Sequence, residues 1–89
     1  MKYAFEFTGA ARRQLRVIDQ TTALRILHAL SRLGDDPYRD DADVKKLSGQ
    51  DDLYRLRVGT YRIAYTIDDG KLIILVVEVG HRRDIYRRL

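Results

Sequence analysis

Cysteine is absent from this sequence, so disulfides and thiolate metal sites are excluded, and a reducing compartment suits the chain. Histidine is scarce, and its two copies, His28 and His81, lack metal-ligand spacing. Six scattered glycines form neither a phosphate loop nor a dinucleotide fingerprint. Ser31 and Ser48 stand in no triad motif. The acidic run "DDPYRDDAD" lacks calcium-loop spacing and reads as a solvated loop. No apolar run reaches membrane-spanning length, and "MKYAFEFTGAARR" carries no signal-peptide pattern. The expectation is a single cytoplasmic domain over residues 1–89, with no metal, cofactor or membrane contact.

Arginine is abundant, supplying thirteen of the seventeen basic residues. Its planar fork of donors matches phosphate, where lysine offers a point charge. The charges are also segregated. Residues 1–34 carry six basic and two acidic side chains, residues 35–52 three and seven, and residues 53–89 eight and four. Such a balance leans toward phosphate or an acidic protein partner, although a generic basic surface carries the same charges.

Periodicity orders the chain. "KYAFEF" alternates Tyr3, Phe5 and Phe7 against Ala4 and Glu6, as a strand with one buried face does. Thr8 fits an N-cap for a short helix in "GAARRQLRVI". Asp19 fits the cap of a second helix, ended by Gly34, whose stripe Ala23, Ile26, Leu27, Leu30 and Leu33 reads as core and leaves His28 solvated. "DVKKLSG" allows a short extended piece, and strands are expected near 53–58, 60–67 and 72–80. The predicted class is α+β: an N-terminal strand, a helical hairpin, then a three-stranded antiparallel meander, with the helices on one face of a mostly antiparallel sheet.

Alternation then sorts the meander side chains. Tyr54, Leu56 and Val58 share a face with Tyr61, Ile63, Tyr65 and Ile67, and Arg55, Arg57 and Arg62 take the other. A two-residue Gly59-Thr60 turn sets Arg57 directly opposite Arg62. Opposed like charges cost a sheet roughly 0.2–1 kcal/mol, so an anionic ligand across these side chains is the better explanation of the pattern. A solvated strand face with Glu78 as counter-ion is the plain alternative. A three-residue Asp68-Asp69-Gly70 turn is preferred to a two-residue one. It buries Ile73, Leu75, Val77 and Val79 and puts Glu78 on the arginine face, leaving Leu72, Ile74 and Val76 on the open side.

The segment "LYRLRVGTYRIAYTIDDGKLIILVVEVGHRRDIYRRL", above all "YRLRVGTYRIAY" and "VGHRRDIY", resembles the C-terminal half of RelE-type toxins of the RelE/ParE superfamily. The opening strand and helical hairpin fit the same plan. The resemblance implies a ribosome-dependent endoribonuclease that cuts mRNA in the ribosomal A site. It also implies neutralisation by a cognate, RelB-like antitoxin, through which the complex binds operator DNA. On this likeness the catalytic set is Arg55, Arg57, Arg62, Arg82 and Tyr86. Family members often have lysine at positions 55 and 57, and a lysine can act as general base where an arginine cannot. His81 is the candidate to take over that role by its chemistry, with Glu78 or a ribosomal group as alternatives. The ParE branch shares the fold but inhibits DNA gyrase without cutting RNA.

Overall fold

The computed structural model describes residues 2–39, 43–47 and 53–81. Strand β1 (Ala4–Phe7) leads into helices α1 (Gly9–Val17) and α2 (Gln20–Asp35). Strands β2 (Val44–Lys46), β3 (Leu53–Val58), β4 (Tyr61–Asp68) and β5 (Ile73–His81) follow. They form one five-stranded sheet in the order β1-β5-β4-β3-β2. Only the β1–β5 pair is parallel. The fold is therefore the predicted α+β arrangement. Among the described residues no helix is long and apolar enough to cross a membrane.

Both helix caps form as the sequence predicts. The Thr8 Oγ1 accepts from the Ala11 amide at 3.1 Å, a cap whose loss costs about 1 kcal/mol. The Asp19 carboxylate accepts from the Thr22 amide at 3.0 Å. That bond holds the Asp19 carboxyl below its ordinary pKa. α2 does not stop at Gly34. It runs through it to Asp35, and the buried Gly34 carbonyl accepts from the Tyr3 amide at 2.8 Å. This bond ties the end of α2 to the residue before β1. The apolar stripe of α2 is also narrower than expected. Ile26, Leu30 and Leu33 are buried, whereas Leu27 and Leu24 are exposed. Ile26, Leu30 and Leu33 cluster with Tyr3, Ala11, Leu56, Ile63, Tyr65, Ile74, Val76 and Val79 in the main core. Burial of the Tyr65 phenol raises its pKa.

The Gly59-Thr60 turn is as predicted, with Gly59 at φ +60° and Val58 paired with Tyr61. The next turn is not. Asp68 pairs with Ile73 across four residues, Asp69 to Leu72. The Asp68 side chain accepts from the Lys71 amide at 3.0 Å, and Leu72 adopts a left-handed φ of 56°. This parity places Ile74 and Val76, rather than Ile73 and Leu75, in the core. A β-bulge then restores the expected facing further on. Tyr65 pairs with Val76 but Ala64 pairs with Glu78, leaving Val77 as the extra residue. Glu78 reaches the arginine face, as predicted, by this different device.

The bulge lies where β1 has ended and α1 covers the edge of β5. Thr8 donates through its amide to the Val76 carbonyl at 3.0 Å. Its hydroxyl donates to the Val77 carbonyl at 2.6 Å. Further along α1, the Gln14 Oε1 accepts from the Val79 amide at 2.7 Å. The N-cap and the helix thus supply hydrogen bonds that a longer β1 would have made. At the other end of the sheet, the Asp69 carboxylate accepts from Tyr3 at 2.6 Å and from Tyr38 at 2.7 Å. These bonds tie the segment after α2 to the β4–β5 turn and lower the Asp69 carboxyl pKa.

Candidate active site

The sheet face away from the helical core carries the site. Register arranges it in two transverse rows. In the first, Arg57 of β3 pairs with Arg62 of β4, and Arg62 pairs with Gly80 of β5. Extending the β2–β3 register by one residue sets Asp43 opposite Arg57, and the Arg57 amide donates to the Asp43 carbonyl at 2.9 Å. The second row runs Lys45, Arg55, Ala64, Glu78. Opposed residues share a face and lie about 4.5–5.5 Å apart. Two small residues, Ala64 and Gly80, therefore sit among Arg55, Arg62 and Glu78.

The predicted triad Arg55, Arg57 and Arg62 is brought together, but it is not an ordinary solvated face. Arg62 is only 5 % exposed and Arg55 8 %. The Nε atoms of both are buried without a hydrogen-bond partner. Arg55 is held by Asp43, its Nη1 donating to the carboxylate at 3.1 Å. Arg57, half-exposed, donates from Nε to the other oxygen of the same carboxylate. The Arg57 bond, with Arg55 adding to it, pulls the Asp43 carboxyl below its ordinary pKa. Among the described residues nothing pairs with the Arg62 guanidinium. A buried, unpaired cation is costly to a fold and is the feature an arriving anion would relieve.

Glu78, 8 % exposed, accepts from the Gln14 Nε2 at 3.3 Å. His81 is not with the arginines. It pairs with Tyr61, and its ring meets the Tyr61 ring edge-on, with centroids 5.2 Å apart. Tyr61 shares the face of Ile63 and Tyr65, so strand alternation puts His81 opposite to the side of Arg62. Arg82 and Tyr86 lie outside the described residues. Among the described residues no group of histidine or acidic side chains is placed to hold a metal ion. Asp43 and Lys45 are the residues that sequence reasoning missed. The signal available was the pairing of "DVKK" with "LYRLR", which sets Asp43 against Arg57.

Comparison with known proteins identifies the family. Residues 5–86 match the family model described as ParE toxin of type II toxin–antitoxin system, parDE. The chain is 34% identical over 90 residues to Toxin RelG of Mycobacterium tuberculosis, covering 99% of this chain and all of the relative. It is 29% identical over 84 residues to the mRNA interferase toxin RelE of Escherichia coli, covering 92% and 85%. The toxin chain in the crystal structure of the archaeal RelE-RelB complex from Pyrococcus horikoshii superposes with a TM-score of 0.79 at 28% identity, covering 92% of this chain and 97% of that one. With its five-stranded sheet, paired helices and arginine-bearing face, the chain belongs to the RelE/ParE superfamily and is a RelE-type toxin of a type II toxin–antitoxin system.

Proposed function

We propose that this toxin is a ribosome-dependent endoribonuclease that cleaves mRNA in the ribosomal A site. The observation that carries the reading is the buried Arg62, unpaired among the described residues and standing opposite Arg57. The relative named mRNA interferase toxin supports it. In the reaction, the ribose 2′-oxygen attacks the adjacent phosphorus and loses its proton. The P–O5′ bond breaks, leaving a 2′,3′-cyclic phosphate and a 5′-hydroxyl. Negative charge grows on the non-bridging oxygens, and fixed guanidinium groups favour that state over the ground state. Arg62 and Arg57 face the phosphate, Arg55 and Arg82 support them, and Tyr86 stacks on a base.

The partner in this reading is a RelB-like antitoxin, which also brings the complex to operator DNA. The solved RelE-RelB complex supports it, and a basic surface suits an antitoxin tail that folds on binding. The site of action is then the cytoplasm. A second reading, inhibition of DNA gyrase without nuclease activity, is favoured by the parDE description of the family model. Primer extension on translated mRNA after induction separates the two. Cuts within A-site codons are expected, whereas intact mRNA with stalled gyrase would replace the first reading by the second.

A further inference from the structure

We propose that Asp43 is a positioning residue for the cleavage reaction, holding Arg57 by its Nε so that the two terminal nitrogens of that guanidinium stay aimed at the scissile phosphate. This rests on the nuclease reading. The geometry is specific. One carboxylate takes Arg55 on one oxygen and Arg57 on the other. Its own backbone is fixed by the Arg57 amide. Arg57 is half-exposed, and a long side chain in that setting samples several rotamers unless something stops it. A bond at Nε stops it and consumes none of the forked terminal donors that suit a phosphate. Arg62 needs no such hold, because burial restricts its side chain. The same carboxylate offsets the repulsion built into the Arg57–Arg62 pair.

The alternative role for Asp43 is a competitor that occupies the phosphate's place, and the two roles predict opposite effects. Cleavage of ribosome-bound mRNA is measured for wild type, Asp43→Ala, Asp43→Asn, Arg57→Ala and the double variant Asp43→Ala/Arg57→Ala. Positioning predicts that Asp43→Ala lowers kcat at least about tenfold with KM no higher than wild type, because removing a negative charge does not weaken capture of an anion. Asp43→Asn, which keeps one acceptor oxygen and guards against misfolding around Arg55, should fall between the two. The double variant should be no slower than Arg57→Ala alone, the coupling expected when one residue acts through the other. An unchanged or raised kcat in Asp43→Ala, or additive losses in the double variant, overturns the proposal. Wild-type protein that cuts no ribosome-bound mRNA overturns the nuclease reading instead. The hold on Arg57 is then judged by its Nε–H resonance, which should be protected from exchange in wild type and unprotected in Asp43→Ala. Equal protection in both would overturn it.

Discussion

Arg62 poses a direct conflict between stability and activity, and Arg62→Met measures both sides. Arg62 is 5 % exposed, its Nε has no hydrogen-bond partner among the described residues, and Arg57 stands opposite. Replacing a buried ion pair by apolar side chains of similar volume is often neutral or stabilising by about 1–4 kcal/mol, and a cation without a partner has no pairing energy to lose. Relief of the cross-strand repulsion adds roughly 0.2–1 kcal/mol. The lower end applies here, because the side chain is not wholly sealed from water. A gain of about 1 kcal/mol in a domain of this size raises Tm by roughly 4–8 °C. Cleavage should move the other way. Loss of one pre-aimed donor to a charge-gathering transition state costs about 10²–10³ in rate, near 3–4 kcal/mol. Thermal unfolding followed by circular dichroism reads the first effect, and cleavage of ribosome-bound mRNA the second. Arg62→Ala, which opens a cavity, should lose toxicity equally while still binding the antitoxin. A lower Tm for Arg62→Met would mean that a protein partner satisfies Arg62. Undiminished cleavage would remove Arg62 from the mechanism.

Three further outcomes are expected. Gln14→Ala leaves the Val79 amide without its acceptor and should cost about 1–3 kcal/mol, seen as faster hydrogen exchange at that amide while the β3–β4 amides stay protected. Asp69→Asn should flatten the acid end of the stability profile. The Asp69 carboxyl pKa is lowered in the folded state by Tyr3 and Tyr38, so its contribution is complete above the unfolded value of about 3.9 and fades as pH falls through the lower folded value. Between pH 6 and pH 3, Tm should therefore fall further for wild type than for the variant, which keeps only the acid sensitivity of groups such as Asp19 and Asp43. His81→Ala should retain cleavage within about threefold, since His81 stands beside Tyr61 on the opposite face to Arg62; a loss near the 10²-fold expected of general acid–base catalysis would restore it as the proton acceptor.

How far these features could be read from the sequence depended on the range of the interactions that set them. The caps at Thr8 and Asp19 and the glycine turn at Gly59 follow from a few neighbouring residues, and they form as the sequence predicts. The opposition of Arg57 and Arg62 follows from that one turn. The facing of Ile73 to Val77 was not legible, because it depends on a four-residue loop and a bulge that strand alternation cannot reveal. The bulge is secured by Thr8 and Gln14, more than sixty residues away in the chain. Asp43 was hidden for a similar reason. In an acidic run it looked like one more solvated carboxylate, and only the pairing of β2 with β3 brings it to two arginines.

The charge layout of the site is a consequence of register. The Asp43–Arg57–Arg62 row ends at Gly80, which has no side chain. Repulsion within the row is met by a carboxylate at one end, and among the described residues no carboxylate stands in the row at the other. An anion that came to the row would gain most beside Arg62, where burial strengthens the attraction. The single extra residue at Val77 sets Gly80, rather than Val79, opposite Arg62. A regular ladder continued from the Asp68–Ile73 pair would set Val79 against Arg62 and carry Glu78 into the core against Ile63. The cost of burying that carboxylate among Ile26, Leu30 and Ile63 would far exceed the cost of one disrupted rung. The bulge is therefore required by the core as much as by the site, and the pairing of Arg62 with Gly80 follows from it.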